Sequence, residues 1–283
     1  MIIDGKKFAQ KLRNKIKKEI QSIKNKTRLT PGLTVILVGN HTPSEIYVRN
    51  KELAAKEVGI SSKVLRFKSS ISETKLISVI KRLNKDKKIH GILVQLPLPN
   101  HINGNKIIEE IDPRKDVDGF HPINVGNLSS GKDALVPCTP LGCYLMIKSV
   151  RKNLSGLNAF IIGRSNLNGK PMAQLLLKED CTVTIGHSKT KNLKELCKKA
   201  DIVVAAVGRA NLVKGDWVKK GAIVIDVGIN RIEKKKGYKI VGDVEFKSVV
   251  KKARAITPVP GGVGPVTIAC LLNNTLKAFK NIN

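Results

Sequence analysis

A chain of 283 residues, 41% of them hydrophobic, holds enough material for one large core or two moderate ones. No window approaches the ~20 apolar residues of a membrane span, so a membrane partner is not expected. Lys and Arg number 52 against 22 Asp and Glu, but the charge is spread along the chain and aromatics are 4%, which argues against a specific nucleic-acid partner.

The five cysteines lack a CxxC pair and read as reduced thiols rather than a disulfide framework or zinc site. Met1-Ile2-Ile3-Asp4 leads directly into a Lys-rich segment without an apolar signal region, so a cytoplasmic location is expected. Phe8, Leu12, Ile16, Ile20 and Ile23 recur at helical spacing, predicting an amphipathic helix over residues 5–28. Leu33 to Gly39 has the β-branching of a buried strand, and Ser44 is the expected N-cap of a helix reaching Val58. On that helix Tyr47 and Lys51 stand four apart and share a face, placing a ring and an amine one turn past a strand end. A Tyr and a Lys so spaced are also a common packing contact beside a solvated charge.

Ser61 to Phe67 predicts a second strand, and 72–84 a helix with Leu76, Ile77, Ile80 and Leu83 apolar. The apolar run Gly91-Ile92-Leu93-Val94 ends in Gln95 and the proline-stiffened turn Leu96-Pro97-Leu98-Pro99. An amide there needs partners, because buried polar groups are costly unpaired. Alternating strands and helices imply a parallel sheet with ligands at its carboxyl edge, where Lys51 and Gln95 converge. The loop Asp112 to Pro122 is too polar for core; Asp118 is either turn chemistry with Gly119 or a paired acceptor for a polar heterocycle. Asp116 and Asp118 lack the further oxygen ligands of a calcium loop, and no metal is expected.

Pro137-Cys138-Thr139-Pro140 marks the domain junction, with Thr139 as N-cap of the next helix. A second alternating block follows, with strands at 158–162, 181–185, 201–205 and 222–226 and helices at 169–179 and 190–199. After its first strand comes Gly163-Arg164-Ser165-Asn166-Leu167-Asn168-Gly169, a departure from GxGxxG that keeps the strand-turn-helix position of a phosphate-binding turn. At the end of the next strand stands Ser188, with Lys189 beside it, where an NAD-preferring fold usually carries a carboxylate. Arg164 and Ser188 can donate to a 2′-phosphate that a carboxylate would repel, so NADP is expected over NAD; Ser188 as a plain helix cap is the alternative.

Tyr47-Val48-Arg49-Asn50-Lys51, Val94 to Pro99, Lys115-Asp116-Val117-Asp118-Gly119-Phe120, Ile162 to Ser165, Thr182 to Ser188 and Pro258 to Pro265 occur in order. Together they make the whole chain resemble the bifunctional methylenetetrahydrofolate dehydrogenase/methenyltetrahydrofolate cyclohydrolase family. The resemblance implies two α/β domains flanking a cleft, the second a Rossmann-like NADP domain, and a homodimer. It divides the chain into a folate-binding catalytic domain, 1–138 completed by the helix 265–283, and an NADP domain, 139–264. It makes Lys51 the essential lysine, Tyr47 the ring packed on the folate, Gln95 the amide assisting the lysine and Asp118 the carboxylate holding the pterin. Pro260, Gly261 and Gly262 match the folate-contacting loop, and Gly163, Arg164, Ser165, Ser188 and Ile229 the cofactor contacts. Lys51 and Gln95 argue against a dehydrogenase that has lost the hydrolytic step. The chain departs from the family pattern at Thr42-Pro43-Ser44-Glu45, Asn168, Gly186 and Ala210.

Overall fold

The computed structural model describes residues 1–233 and 237–283, with Pro43 described in its backbone alone. The Pro43 ring, part of the departing run before Tyr47, thus lies outside the described residues. The chain forms two compact units, Gln10–Cys138 with Ile268–Asn283 and Thr139–Thr267 with Met1–Ala9.

In the Gln10–Cys138 unit, helix α1 (Gly5–Thr27, its first turns belonging to the other unit) is followed by β1 (Gly32–Val38), α2 (Thr42–Val58), β2 (Ser61–Phe67), α3 (Glu73–Lys85) and β3 (Gly91–Val94). The three strands are parallel in the order β2-β1-β3, with Leu33 opposite Ser62 on one side and Gly91 on the other. As the central strand, β1 is buried at all seven positions, which is why its sequence runs apolar without alternation. Ser72 caps α3 by accepting from Lys75 N at 3.2 Å, and Leu76, Val79, Ile80 and Leu83 fall on its buried stripe. They pack with Ile36, Val38, Ile92 and Val94. At roughly 1.5–3 kcal/mol for each fully buried large apolar side chain, this layer makes the sheet a rigid base for the loops at its carboxyl edge.

Two short helices, α4 (Gly104–Glu109) and α5 (Pro122–Ser129), complete the segment. The residue capping α2 differs from the expectation. His41, in extended conformation, precedes the first helical residue Thr42, whereas Ser44 is already inside the helix, buried, with Oγ 2.9 Å from His41 Nδ1. Pro43, whose fixed φ suits a first turn, fits a cap three residues earlier than expected.

The second unit takes α6 (Cys138–Val150), β4 (Asn158–Ile162), α7 (Gly169–Leu177), β5 (Thr182–Gly186), α8 (Leu193–Lys198), β6 (Ile202–Ala205), β7 (Ile223–Asp226), a hairpin of β8 (Asn230–Glu233) and β9 (Tyr238–Val241), α9 (Phe246–Val249) and β10 (Ala255–Ile256). Its sheet has the order β10-β7-β6-β4-β5, with every pair parallel. Phe160, Ile162, Val203, Val224 and Ile256 lie at the centre of its core. The first residues of the chain pack here rather than with residues 10–138, unlike the division 1–138 and 139–264 drawn from the resemblance. Ile3 N donates to Ile256 O at 2.8 Å and Ile256 N to Met1 O at 3.0 Å, so Met1–Ile3 satisfies the otherwise open edge of β10. The final helix, α10 (Val263–Ile282), starts in this unit, and from Ile268 onward it belongs with Asn283 to the other.

Candidate functional site

The first unit brings four of the expected residues to the carboxyl edge of its sheet. Lys51 lies in α2, 7% exposed, and its Nζ donates to Gln95 Oε1 at 3.0 Å. Gln95 follows β3 directly, held there by its backbone N–H, which donates to Ile36 O at 2.9 Å. Its Nε2 is tied to Leu96 O at 2.8 Å, which turns the amide oxygen toward the lysine. The Lys51 ammonium also stands 5.5 Å from the centroid of the Tyr47 ring, within cation–π reach, so the one-turn spacing produces the contact anticipated from the sequence. Burial pushes the Tyr47 phenol above its ordinary range and keeps it protonated.

Asp118 occupies the turn after Val117. Its carboxyl is pushed up to about 6, chiefly by burial, with Lys51 acting in the opposite sense and Asp116 reinforcing the rise. Cys138 Sγ at 3.8 Å from Asp118 Oδ1 is the one side chain hydrogen-bonded to it among the described residues. That leaves acceptor capacity for a ligand, which favours the acceptor reading over simple turn chemistry. The turn is shaped by Asp116, 1% exposed, which accepts from Gly119 N (3.1 Å), His121 N (2.8 Å) and Asn124 Nδ2 (2.9 Å). Gly119 has φ +73°, and a Cβ there would lie 2.6 Å from the backbone of Leu135, Val136 and Pro137, so the Asp-Gly pair is required by space as well as conformation. Among the described residues no cluster of His, Cys, Asp or Glu is arranged to hold a metal ion.

The second unit presents the turn that the sequence marks as a candidate for phosphate binding. Gly163 has φ +124°, and a Cβ on it would collide with the Ala206 carbonyl; one on Gly169 would collide with the Gly163 carbonyl. The turn between β4 and α7 is therefore wound tightly enough to pass close to a bound group, with Arg164 and Ser165 exposed on it. Ser188 and Lys189 are exposed just beyond β5, the strand next to β4 in the sheet. These residues fit a dinucleotide whose phosphates meet the turn and whose 2′-phosphate meets cations and a hydroxyl.

Ile229 is 62% exposed beyond β7, in a loop that two unanticipated carboxylates define. Asp226 accepts from Gly228 N (3.0 Å), Asp243 N (2.9 Å) and Val244 N (2.9 Å), and burial pushes its carboxyl up to about 7. Asp243 accepts from Val207 N (2.7 Å), Gly208 N (3.0 Å) and Arg209 N (2.8 Å), fixing the loop after β6. The signal for both was an acid at the end of an apolar strand, Ile223-Val224-Ile225-Asp226, and a second in Gly242-Asp243-Val244. The Pro260-Gly261-Gly262 loop follows β10, with a cis peptide between Val259 and Pro260. Gly262 is buried and a Cβ on it would strike Pro258 O, so the loop is closely packed on itself.

Residues 3–118 match the profile of the tetrahydrofolate dehydrogenase/cyclohydrolase catalytic domain, and residues 137–283 that of the NAD(P)-binding domain of the same family. The chain belongs to the tetrahydrofolate dehydrogenase/cyclohydrolase family. Among relatives of this tetrahydrofolate dehydrogenase/cyclohydrolase chain, the bifunctional protein FolD of Pelagibacter ubique (strain HTCC1062) is 64% identical over 280 residues, 99% of this chain and 98% of the relative. The crystal structure of the bifunctional FolD methylenetetrahydrofolate dehydrogenase/cyclohydrolase of Campylobacter jejuni superposes with a TM-score of 0.96 at 48% identity, covering 99% of both chains. The Trypanosoma brucei enzyme, solved with NADP cofactor and an inhibitor, gives 0.95 at 37% identity over 99% of this chain and 97% of its own.

Proposed function

We propose that the protein oxidises 5,10-methylenetetrahydrofolate to 5,10-methenyltetrahydrofolate with NADP and hydrolyses the product to 10-formyltetrahydrofolate. The Lys51–Gln95 hydrogen bond beside Tyr47, in a chain of this family, is the observation that supports both halves of the reading.

In the first half NADP, bound at the Gly163 turn, supplies the acceptor for the hydride that leaves the one-carbon bridge. The side chains need only bind and orient there, since loss of hydride from a carbon flanked by two nitrogens requires no strong base. Asp118 accepts hydrogen bonds from the N–H groups of the pterin, Tyr47 packs its protonated ring on the folate, and Pro260, Gly261 and Gly262 keep the folate-contact role the resemblance implies. Arg164, Ser165 and Ser188 take the phosphates of NADP, while Gly163 and Ile229 complete its binding surface.

In the second half water adds to the methenyl carbon, the bond from that carbon to the pterin ring nitrogen N5 breaks, and one proton is released to solvent. Lys51, in its neutral amine form, is the group that takes a proton from the attacking water, and as the resulting ammonium it returns one to the departing nitrogen. Gln95, its amide already turned by Leu96 O, holds that amine in place.

The same reading places the protein in the cytoplasm, as a homodimer without a specific nucleic-acid partner. All five cysteines are buried, which suits a reducing compartment. No described helix is long and apolar enough to cross a membrane. Sedimentation at several concentrations tests the dimer. Activity is tested in one cuvette with methylenetetrahydrofolate and NADP, following NADPH and the methenyl absorbance separately. NADPH formation with transient methenyl supports the full sequence. Accumulation of methenyl at its uncatalysed rate of decay refutes the hydrolase half, and equal turnover with NAD refutes the cofactor assignment.

A further inference from the structure

Among the described residues the Asp118 carboxylate takes one side-chain hydrogen bond, the long contact from the Cys138 thiol, so Asp118 is held in place chiefly by its backbone. On one side of it, Val117 O accepts from Asn274 Nδ2 at 2.9 Å and from Cys138 Sγ at 3.3 Å. On the other side, Gly119 is wedged against Val136 and Pro137. Asn274 Nδ2 reaches that wall too, donating to Val136 O at 2.8 Å. One amide nitrogen thus uses its two hydrogens on the two stretches of chain that confine the Asp118 turn.

Asn274 belongs to α10, 157 residues from Val117, and is 1% exposed. A helix packed by Leu271, Leu272 and Leu276 has no packing need for an amide at that point, and a buried amide is costly unless its hydrogen bonds serve something. We infer that Asn274 is a positioning residue for pterin recognition, clamping the Val117 and Val136 carbonyls so that the Asp118 carboxylate meets the substrate in one orientation. This rests on the folate-binding role proposed above for Asp118.

The test uses the full chain carrying Asn274→Asp, which sets a carboxylate against two carbonyls, and Asn274→Leu, which removes the donors while keeping the branched shape. Each is assayed for kcat, for KM toward methylenetetrahydrofolate and toward NADP, and for its melting temperature. The expected result is a folate KM raised about five- to twentyfold, with NADP KM within about twofold and kcat within about threefold, in whichever variant folds. A folded variant with unchanged folate KM overturns the inference, as does a fall in kcat alone. Failure of both variants to fold assigns Asn274 to stability only and overturns it equally. If the parent protein does not turn over methylenetetrahydrofolate, the proposed reaction falls and takes this inference with it. A normal parent with normal variants removes the inference alone.

Discussion

Acidification should expose the role of Asp118 in a way that can be worked out in advance. With its carboxyl at about 6, the group is almost wholly ionised at pH 7.5 and about nine-tenths protonated at pH 5. A protonated carboxyl has lost the charge that two pterin N–H donors require, so kcat/KM for methylenetetrahydrofolate should fall about tenfold between those two pH values. The hydride step needs no general base, so kcat at saturating folate should fall much less. Asp118→Asn keeps the shape and removes the charge. At about 1.5–3 kcal/mol for the charged hydrogen bonding, it should lower kcat/KM roughly 10- to 150-fold at pH 7.5 and flatten the acid limb. Dehydrogenase initial rates from pH 5 to 8, with the variant run in parallel, make the comparison, because any ionisation of the folate itself appears in both proteins. A flat profile in the parent, or the same acid limb in Asp118→Asn, would refute the assignment of the limb to this carboxyl.

Lys51→Met should cut methenyl hydrolysis by more than about a hundredfold while leaving the melting temperature within a few degrees, and the methenyl absorbance read in the single-cuvette assay reports it. Ser188→Asp should raise the KM for NADP at least about tenfold with little effect on NAD, through loss of one donor and repulsion of the 2′-phosphate; steady-state titration of both dinucleotides checks it. Gly119→Ala should destabilise by at least ~1–2 kcal/mol from left-handed strain alone, with the collision against Val136 and Pro137 added, and calorimetry should show a lower melting temperature. An unchanged melting temperature would mean that the turn relaxes without cost.

The elements organised by local chemistry were legible in the sequence. The unbroken apolar run of β1, the apolar stripe of α3 and the one-turn spacing of Tyr47 and Lys51 each depend on neighbours within a few residues, and each has its expected form. What escaped notice depends on distant partners. Met1–Ile3 reads as the approach to a helix, yet it pairs with Ile256, a contact no local pattern announces. The β8–β9 hairpin has an exposed, weakly apolar sequence and gives little periodic signal. Ser44 looked like a cap because its residue type suits one, but the first turn was already under way at Thr42. Asn274 and Asp243 could have been suspected as polar residues among apolar neighbours, although only the folded chain says which carbonyls and N–H groups they serve.

Neither compact unit is a continuous stretch of polypeptide, and this bears on how the protein is made. The ribosome delivers Gln10–Cys138 early, but the sixteen residues that complete it emerge only after Thr139–Thr267. Until then the turn bearing Asp118 lacks its amide clasp, so a nascent chain has the residues of its sheet well before it has the side chain that holds this turn. Cutting the gene at the apparent junction near Cys138 would yield two orphaned fragments, each missing a terminal piece carried by the other.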